Sequence, residues 1–229
     1  MSISKQTGFT LVEVLIAAVV GAIGALALGL MLARGAVDVR QVEQNQLAMT
    51  LLEDLANQVR THQGLADFAG GRNTDRLAAY VLSAPLNAPI GDGAAFAAIG
   101  GTTVDCETNA CNDDEWAAWR VALWDGALSG ADRMRGKAEV QVLAGVRGCI
   151  EPADSGARAV ADLTIPANTI RISLAWQGGA PLPRDTAAVG DSRNATDCGA
   201  GGFELPNGSA DNTDQMRRVM YVDVTAFQP

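Results

Sequence analysis

The chain has 229 residues, with 17 Lys and Arg against 26 Asp and Glu, for a formal charge of −9. Once an apolar N-terminus is set aside, about 165 residues remain, enough for one soluble domain around a single core. The acidic balance disfavours broad nucleic-acid binding, which needs Lys and Arg to neutralise phosphates, and leaves room only for a local basic patch.

Met1 to Gly8 is short and mostly polar, with Lys5 its one charge; its removal would leave 16 basic and 26 acidic residues, or −10. From Val14 to Ala33 there follow 20 residues that are all apolar or glycine. As a helix rising about 1.5 Å per residue, such a run crosses the hydrocarbon core of a bilayer. Lys5 ahead of it favours a cytoplasmic N-terminus and an exported C-terminal domain, although Arg34 just beyond weakens the asymmetry. An ordinary secretory signal fits less well. Ala25-Leu26-Ala27 offers a small-x-small site, but such signals have apolar cores of about 7–15 residues and no acid at the entrance.

Glu13 is that acid. A carboxylate at the edge of a membrane-length run costs on the order of 2–3 kcal/mol unless something compensates it. Cleavage after Gly8 would place a new α-amino group on Phe9, four residues before Glu13 and on the same helix face. That amine is largely protonated at neutral pH and can pair with Glu13 of the same or a neighbouring subunit. The alternative is that Glu13 snorkels to the headgroups.

The stretch Lys5-Gln6-Thr7-Gly8-Phe9-Thr10-Leu11-Val12-Glu13 resembles the class III signal of type IV prepilins and type II secretion pseudopilins. The resemblance implies cleavage between Gly8 and Phe9 by a prepilin peptidase, N-methylation of Phe9, and a subunit-docking role for Phe9 and Glu13 in a helical filament. Many major pilins carry a proline inside this helix; here Gly21, Gly24 and Gly29 stand instead, and glycine also lets helices approach closely.

After Arg34 the pattern turns amphipathic, with Leu47, Leu51, Leu55 and Val59 at i, i+4 spacing and Glu43, Glu53, Asp54 and Arg60 among the polar positions. The helix is expected to run from Phe9 to about His62, roughly 80 Å, with Gly64 as its stop. Residues 64–105, rich in Ala, Gly, Pro and Asn, read as a connecting region with little regular structure and a short helix near Asp75 to Leu82. Asn112-Asp113-Asp114-Glu115 then caps a helix with Trp116, Trp119 and Leu123 on one face, expected to pack on the head rather than on a sugar or base.

Period-two alternation follows. Ala138, Val140 and Val142 form one half-buried strand, Ile170, Ile172, Leu174 and Trp176 a second, Val219 to Phe227 a third, and Ala159 to Ile165 a fourth. The fold class expected is α+β: a long N-terminal helix packed on a small antiparallel sheet. Gly178 to Gln215 is a long loop rich in Gly, Pro, Asp and Asn, within which Asn194 and Asn207 read as turn residues. The expected divisions are a leader at 1–8, an assembly helix at 9–33, its amphipathic continuation at 34–63 and an exported head at 64–229.

All four cysteines lie past the membrane segment, and an even count in an exported domain points to disulfides. Of three possible pairings, Cys106 with Cys111 and Cys149 with Cys198 is favoured, the second closing the longer loop; the chain-entropy effects are about 2 and 4 kcal/mol. A C-x4-C pair without a nearby histidine makes a poor zinc site, and His62 is the one histidine in the chain. The acidic cluster lacks an EF-hand's alternating ligands and central glycine. No metal or cofactor is expected. With no G-x-S-x-G, H-E-x-x-H or P-loop, neither is an enzyme.

The order of features in the head is similar to type IV pilus modification proteins of the PilV kind, which are minor pilins. The pattern is Cys106 and Cys111 before a Trp-bearing helix, Cys149 after the first strand, the Ile170 to Gln177 strand, Cys198, and a closing Arg217-Arg218-Val219 strand. The resemblance implies a structural subunit that primes or modifies a type IV pilus and sits at its tip. It implies a start in the bacterial inner membrane, head periplasmic, before passage to the cell surface. The partners implied are the major pilin, other minor pilins, a tip adhesin, the prepilin peptidase and the assembly platform. A type II secretion pseudopilin is the alternative, since the N-terminal signal is shared. A pilin whose head itself binds a surface or DNA is a further one, to which Arg217 and Arg218 leave a small opening.

Overall fold

A computed structural model describes residues 10–63, 73–84, 90–131, 143–153, 169–179, 196–200, 202–203 and 215–226. The chain divides into two units, Met1–Val42 and Glu43–Pro229. Helix α1 (Leu11–Gln63) supplies almost all that is described of the first and opens the second. The architecture is α+β and pilin-like, with a long N-terminal apolar helix, a small antiparallel sheet and two disulfides.

In the second unit, α1 buries Ala48, Leu52, Leu55, Ala56, Val59, His62 and Gln63. This stripe is rotated from the expected one: Leu55 and Val59 are central, while Leu47 and Leu51 lie only partly buried at its edge. The spacing 48, 52, 55, 59, 62 keeps one helix face inward over four turns, and alanines on it allow neighbours to approach closely.

The short helix expected within 64–105 is present, and the described residues of that connection are more ordered than expected. Helix α2 (Asn73–Ser83) is longer than predicted and buries Leu77, Ala79, Tyr80 and Val81. Ile90 then exchanges two backbone hydrogen bonds with Gly148, at 3.2 and 2.7 Å, and a short helix α3 (Ala94–Ala97) follows. Composition misled here because this segment's order is imposed from outside it. Asp125 of helix α4 (Asp113–Ser129) is fully buried, and its carboxylate accepts hydrogen bonds from the backbone N–H groups of Gly91, Gly93 and Phe96. Gly91 and Gly93 have φ of 120° and 84°, a region open to glycine at little cost.

Helix α4 starts as predicted. The Asn112 side chain accepts from Glu115 N–H at 2.9 Å while the Glu115 carboxylate accepts from Asn112 N–H at 2.9 Å, a complete capping box. Its inward face differs from the prediction. Ala117, Val121, Trp124 and Leu128 join the main core, whereas on the expected face Trp119 is buried and Trp116 and Leu123 are only partly buried. Trp124 Nε1 reaches the Leu51 carbonyl of α1, and this non-local bond helps set the helix rotation.

The sheet has strand order β1-β2-β3, with β1 (Arg147–Pro152), β2 (Thr169–Gln177) and β3 (Arg217–Thr225) antiparallel. The β2 strand was expected from its alternation and β3 from its β-rich composition; the β1 strand, which holds Cys149, was not expected. Gly148 and Pro152 are both poor strand formers and concealed it. The candidate strands at 138–142 and 159–165 lie outside the described residues.

One sheet face carries Ile150, Ile170, Ile172, Leu174, Trp176 and Val224 into the core shared with α1, α2 and α4. Half-burial was expected for β2, yet Ser173 and Ala175 on its other face are also fully buried. Cys198 and Phe203 cover that face, clustering with Ala175, Val219 and Met216, and Cys198 is bonded to Cys149. The other disulfide joins Cys106 to Cys111 just before α4.

Candidate functional site

The described part of the first unit opens on a helix terminus. Thr10 accepts from Glu13 N–H through both its carbonyl, at 3.1 Å, and its hydroxyl, at 3.4 Å. Glu13 therefore sits in the first turn of α1, where a carboxylate faces the positive end of the helix dipole. Thr10-x-x-Glu13 is the spacing of a capping box, a signal legible in the sequence that the expectation for Glu13 passed over. Gly8 and Phe9 lie outside the described residues.

Beyond Glu13 every residue to Ala33 is exposed, including Leu15, Ile16, Val19, Ile23, Leu26, Leu28 and Leu30, each more than half accessible. Apart from the adjoining residues and the helix's own backbone, no atom lies within 4 Å of where a Cβ would stand on Gly21, Gly24 or Gly29. A helix that is apolar all round calls for an apolar surrounding on every side, which means lipid or other helices. By length and composition α1 can cross a membrane.

Residues 3–29 match the family model for the prokaryotic N-terminal methylation motif. The chain carries a type IV prepilin-like N-terminus. No curated protein and no solved structure matches it. The prepilin-like motif marks a type IV pilin-like or pseudopilin-type subunit, a structural class of protein, and implies processing by a prepilin peptidase and contact with pilus-type assembly machinery in general. An apolar, fully exposed helix directly behind such a motif fits a membrane-anchored pilin.

In the head of this prepilin-like chain, the end of α1 meets α2 and α4 through a polar knot. Arg76 Nε donates to Asp113 Oδ2 at 3.1 Å, and its Nη1 donates to the carbonyls of His62 and Gln63 at 3.3 and 3.4 Å, closing the C-terminus of α1. His62 Nε2 lies 3.2 Å from Asp113 Oδ1. Burial pushes the His62 imidazole below its ordinary value, and Arg76 and Arg120 add to this against the pull of Asp113. Burial would raise the Asp113 carboxyl, but its hydrogen bonds with Arg76 and His62 and the charge of Arg76 outweigh it and hold the group down. With His62 neutral near pH 7, Arg76 is the cation that matters there.

Sequence reasoning missed Arg76, because an arginine in an Ala-rich stretch carries no mark of the helix end it will close. Arg217 and Arg218 are both buried in the head, and Arg217 Nη2 donates to the Thr196 carbonyl at 2.6 Å. Arg217 ties the loop around Cys198 to the sheet, and with both arginines buried neither presents a basic surface, so the opening they left for DNA binding narrows.

Proposed function

We propose that the chain is a minor pilin that primes or modifies assembly of a type IV pilus and takes a place at its tip. The single observation that carries this reading is the match of residues 3–29 to the methylation motif, joined to an apolar helix without cover of its own. Prepilin peptidase would cut between Gly8 and Phe9, and Phe9 would then be N-methylated. The new amine would pair with Glu13, removing the cost of a carboxylate at the membrane edge.

Before assembly, residues 9–33 hold the subunit in the bacterial inner membrane with the head, residues 64–229, in the periplasm; afterwards they pack in the filament core. Residues 34–63 link the two, and the two disulfides suit an oxidising compartment. The partners are the major pilin, other minor pilins, a tip adhesin and the assembly platform. The shared motif also favours a type II secretion pseudopilin as a second reading.

Intact mass and N-terminal sequencing of the membrane-extracted protein test the foundation: the expected start is N-methylated Phe9, and a start beyond Ala27 or at an uncut Met1 removes it. Trace recovery in sheared pili, with loss of piliation on deletion, supports the pilus. Lost secretion of exoproteins with normal piliation supports the second reading. Glu13→Ala should leave the head folded and disulfide-bonded while impairing incorporation; normal assembly would show the carboxylate is not needed.

A further inference from the structure

Arg120 of α4 is held between two tryptophans. Its guanidinium carbon lies 4.6 Å from the ring centroid of Trp116 and 4.7 Å from that of Trp119, and the two rings are 5.3 Å apart and tilted by 52°. Among the described residues Arg120 donates to no acceptor and pairs with no carboxylate. Its Nε is buried without a partner, as is Trp119 Nε1 beside it. Of the acids near it in sequence, Glu115 closes the capping box, Asp125 accepts from the backbone of Gly91, Gly93 and Phe96, Asp113 faces Arg76 and His62, and Asp114 is exposed and makes no ion pair among the described residues.

A half-buried cation with no counter-charge is unusual, because removing a charge from water is costly unless an anion or hydrogen bonds compensate it. The two indole faces offset part of that cost and hold the guanidinium fork in one orientation. Little side-chain entropy is then left to lose when the fork meets a partner. A planar fork matches a carboxylate in bidentate geometry. Arginine flanked by tryptophan is also the composition of the residues that dominate protein interfaces. Nucleic acid is disfavoured by the charge of −9 over the chain.

We propose that Arg120, gripped between Trp116 and Trp119, is the docking point on the head for an aspartate or glutamate side chain of a neighbouring protein subunit. The proposal rests on the reading of the chain as an assembly subunit, which is what supplies a neighbour.

The test uses the full chain in its native membrane. Lys137 is the one lysine after Gly8, so Arg120→Lys adds a distinctive primary amine at the site. Treatment with a water-soluble carbodiimide joins that amine, without a spacer, to any carboxylate it touches. The expected product links position 120 to an Asp or Glu of a separate polypeptide, located by mass spectrometry, absent from wild type and lost when Trp116→Ala is added. Arg120→Glu should lower recovery in sheared filaments about tenfold with the near-ultraviolet circular dichroism of the head unchanged. A link only to the chain's own carboxylates or to lipid, no link from a folded variant, or undiminished recovery of Arg120→Glu would overturn the proposal. N-terminal sequencing of the same samples separates the two claims: a start other than Phe9 counts against the assembly reading, while the cross-link still decides Arg120.

Discussion

Trp124 Nε1 donates a 3.1 Å hydrogen bond to the backbone carbonyl of Leu51, although the two residues are 73 apart in sequence. The bond locks α4 to α1, and the same indole lies over Gly148 of β1, where a Cβ would come within 2.5 Å of Trp124 Cζ3 and 2.9 Å of Leu128 Cδ1. One side chain thereby fixes the spacing of two helices and a strand.

Gly148→Ala should therefore destabilise the head by about 1–3 kcal/mol through overpacking. Trp124→Phe should cost about 3 kcal/mol from a lost hydrogen bond and an unfilled space. Because phenylalanine lacks the ring atoms that a Cβ at position 148 would strike, the double variant should be more stable than the sum of the two singles predicts. Denaturant unfolding of the full chain in detergent, followed by near-ultraviolet circular dichroism, measures the cycle; strict additivity would show that the contact is not what excludes a side chain at 148.

Asp125→Asn should cost about 2–3 kcal/mol. The carboxylate receives Gly93 N–H on Oδ1 and Phe96 N–H on Oδ2, each at 3.1 Å, and an amide must turn a donor toward at least one buried donor. Hydrogen exchange should show the amides of Gly91, Gly93 and Phe96 losing protection before those of the sheet.

The pH dependence of stability follows from His62. Its folded value is lowered, so below 6.5 the unfolded chain takes up a proton that the folded chain resists. Stability is whole above 6.5 and falls as the pH drops from there through the lowered folded value. Asp113, also lowered, gives up its own contribution in a separate window beginning at 3.8 and extending downward. His62→Gln should flatten the first fall. Urea titrations across pH 4 to 7 read the difference, and an unchanged profile would refute the role given to His62.

Replacing Cys149 and Cys198 by alanine should cost about 4 kcal/mol on the chain-entropy account, since the pair spans 49 residues; the pair spanning 5, Cys106 and Cys111, should cost about half as much. Loss of the longer tether should also loosen the cover over Ala175 and Val219, so that the variant binds an apolar dye before it unfolds.

The features legible in sequence are those settled within a few residues. The polar leader, the 20-residue apolar run and the acid at its edge come from composition and the fixed rise of a helix. The Asn112–Glu115 cap and the alternation in β2 come from contacts three residues apart and a period of two. Tertiary structure alone decided the rest. Which stripe of α1 and α4 turns inward depends on Trp124 meeting Leu51, the order of residues 90–97 depends on Asp125, the closure of α1 on Arg76, and the cover over the second face of β2 on the loop at Cys198. A buried polar atom takes whichever partner the folded chain brings to it, and a partner tens of residues away leaves no periodic trace.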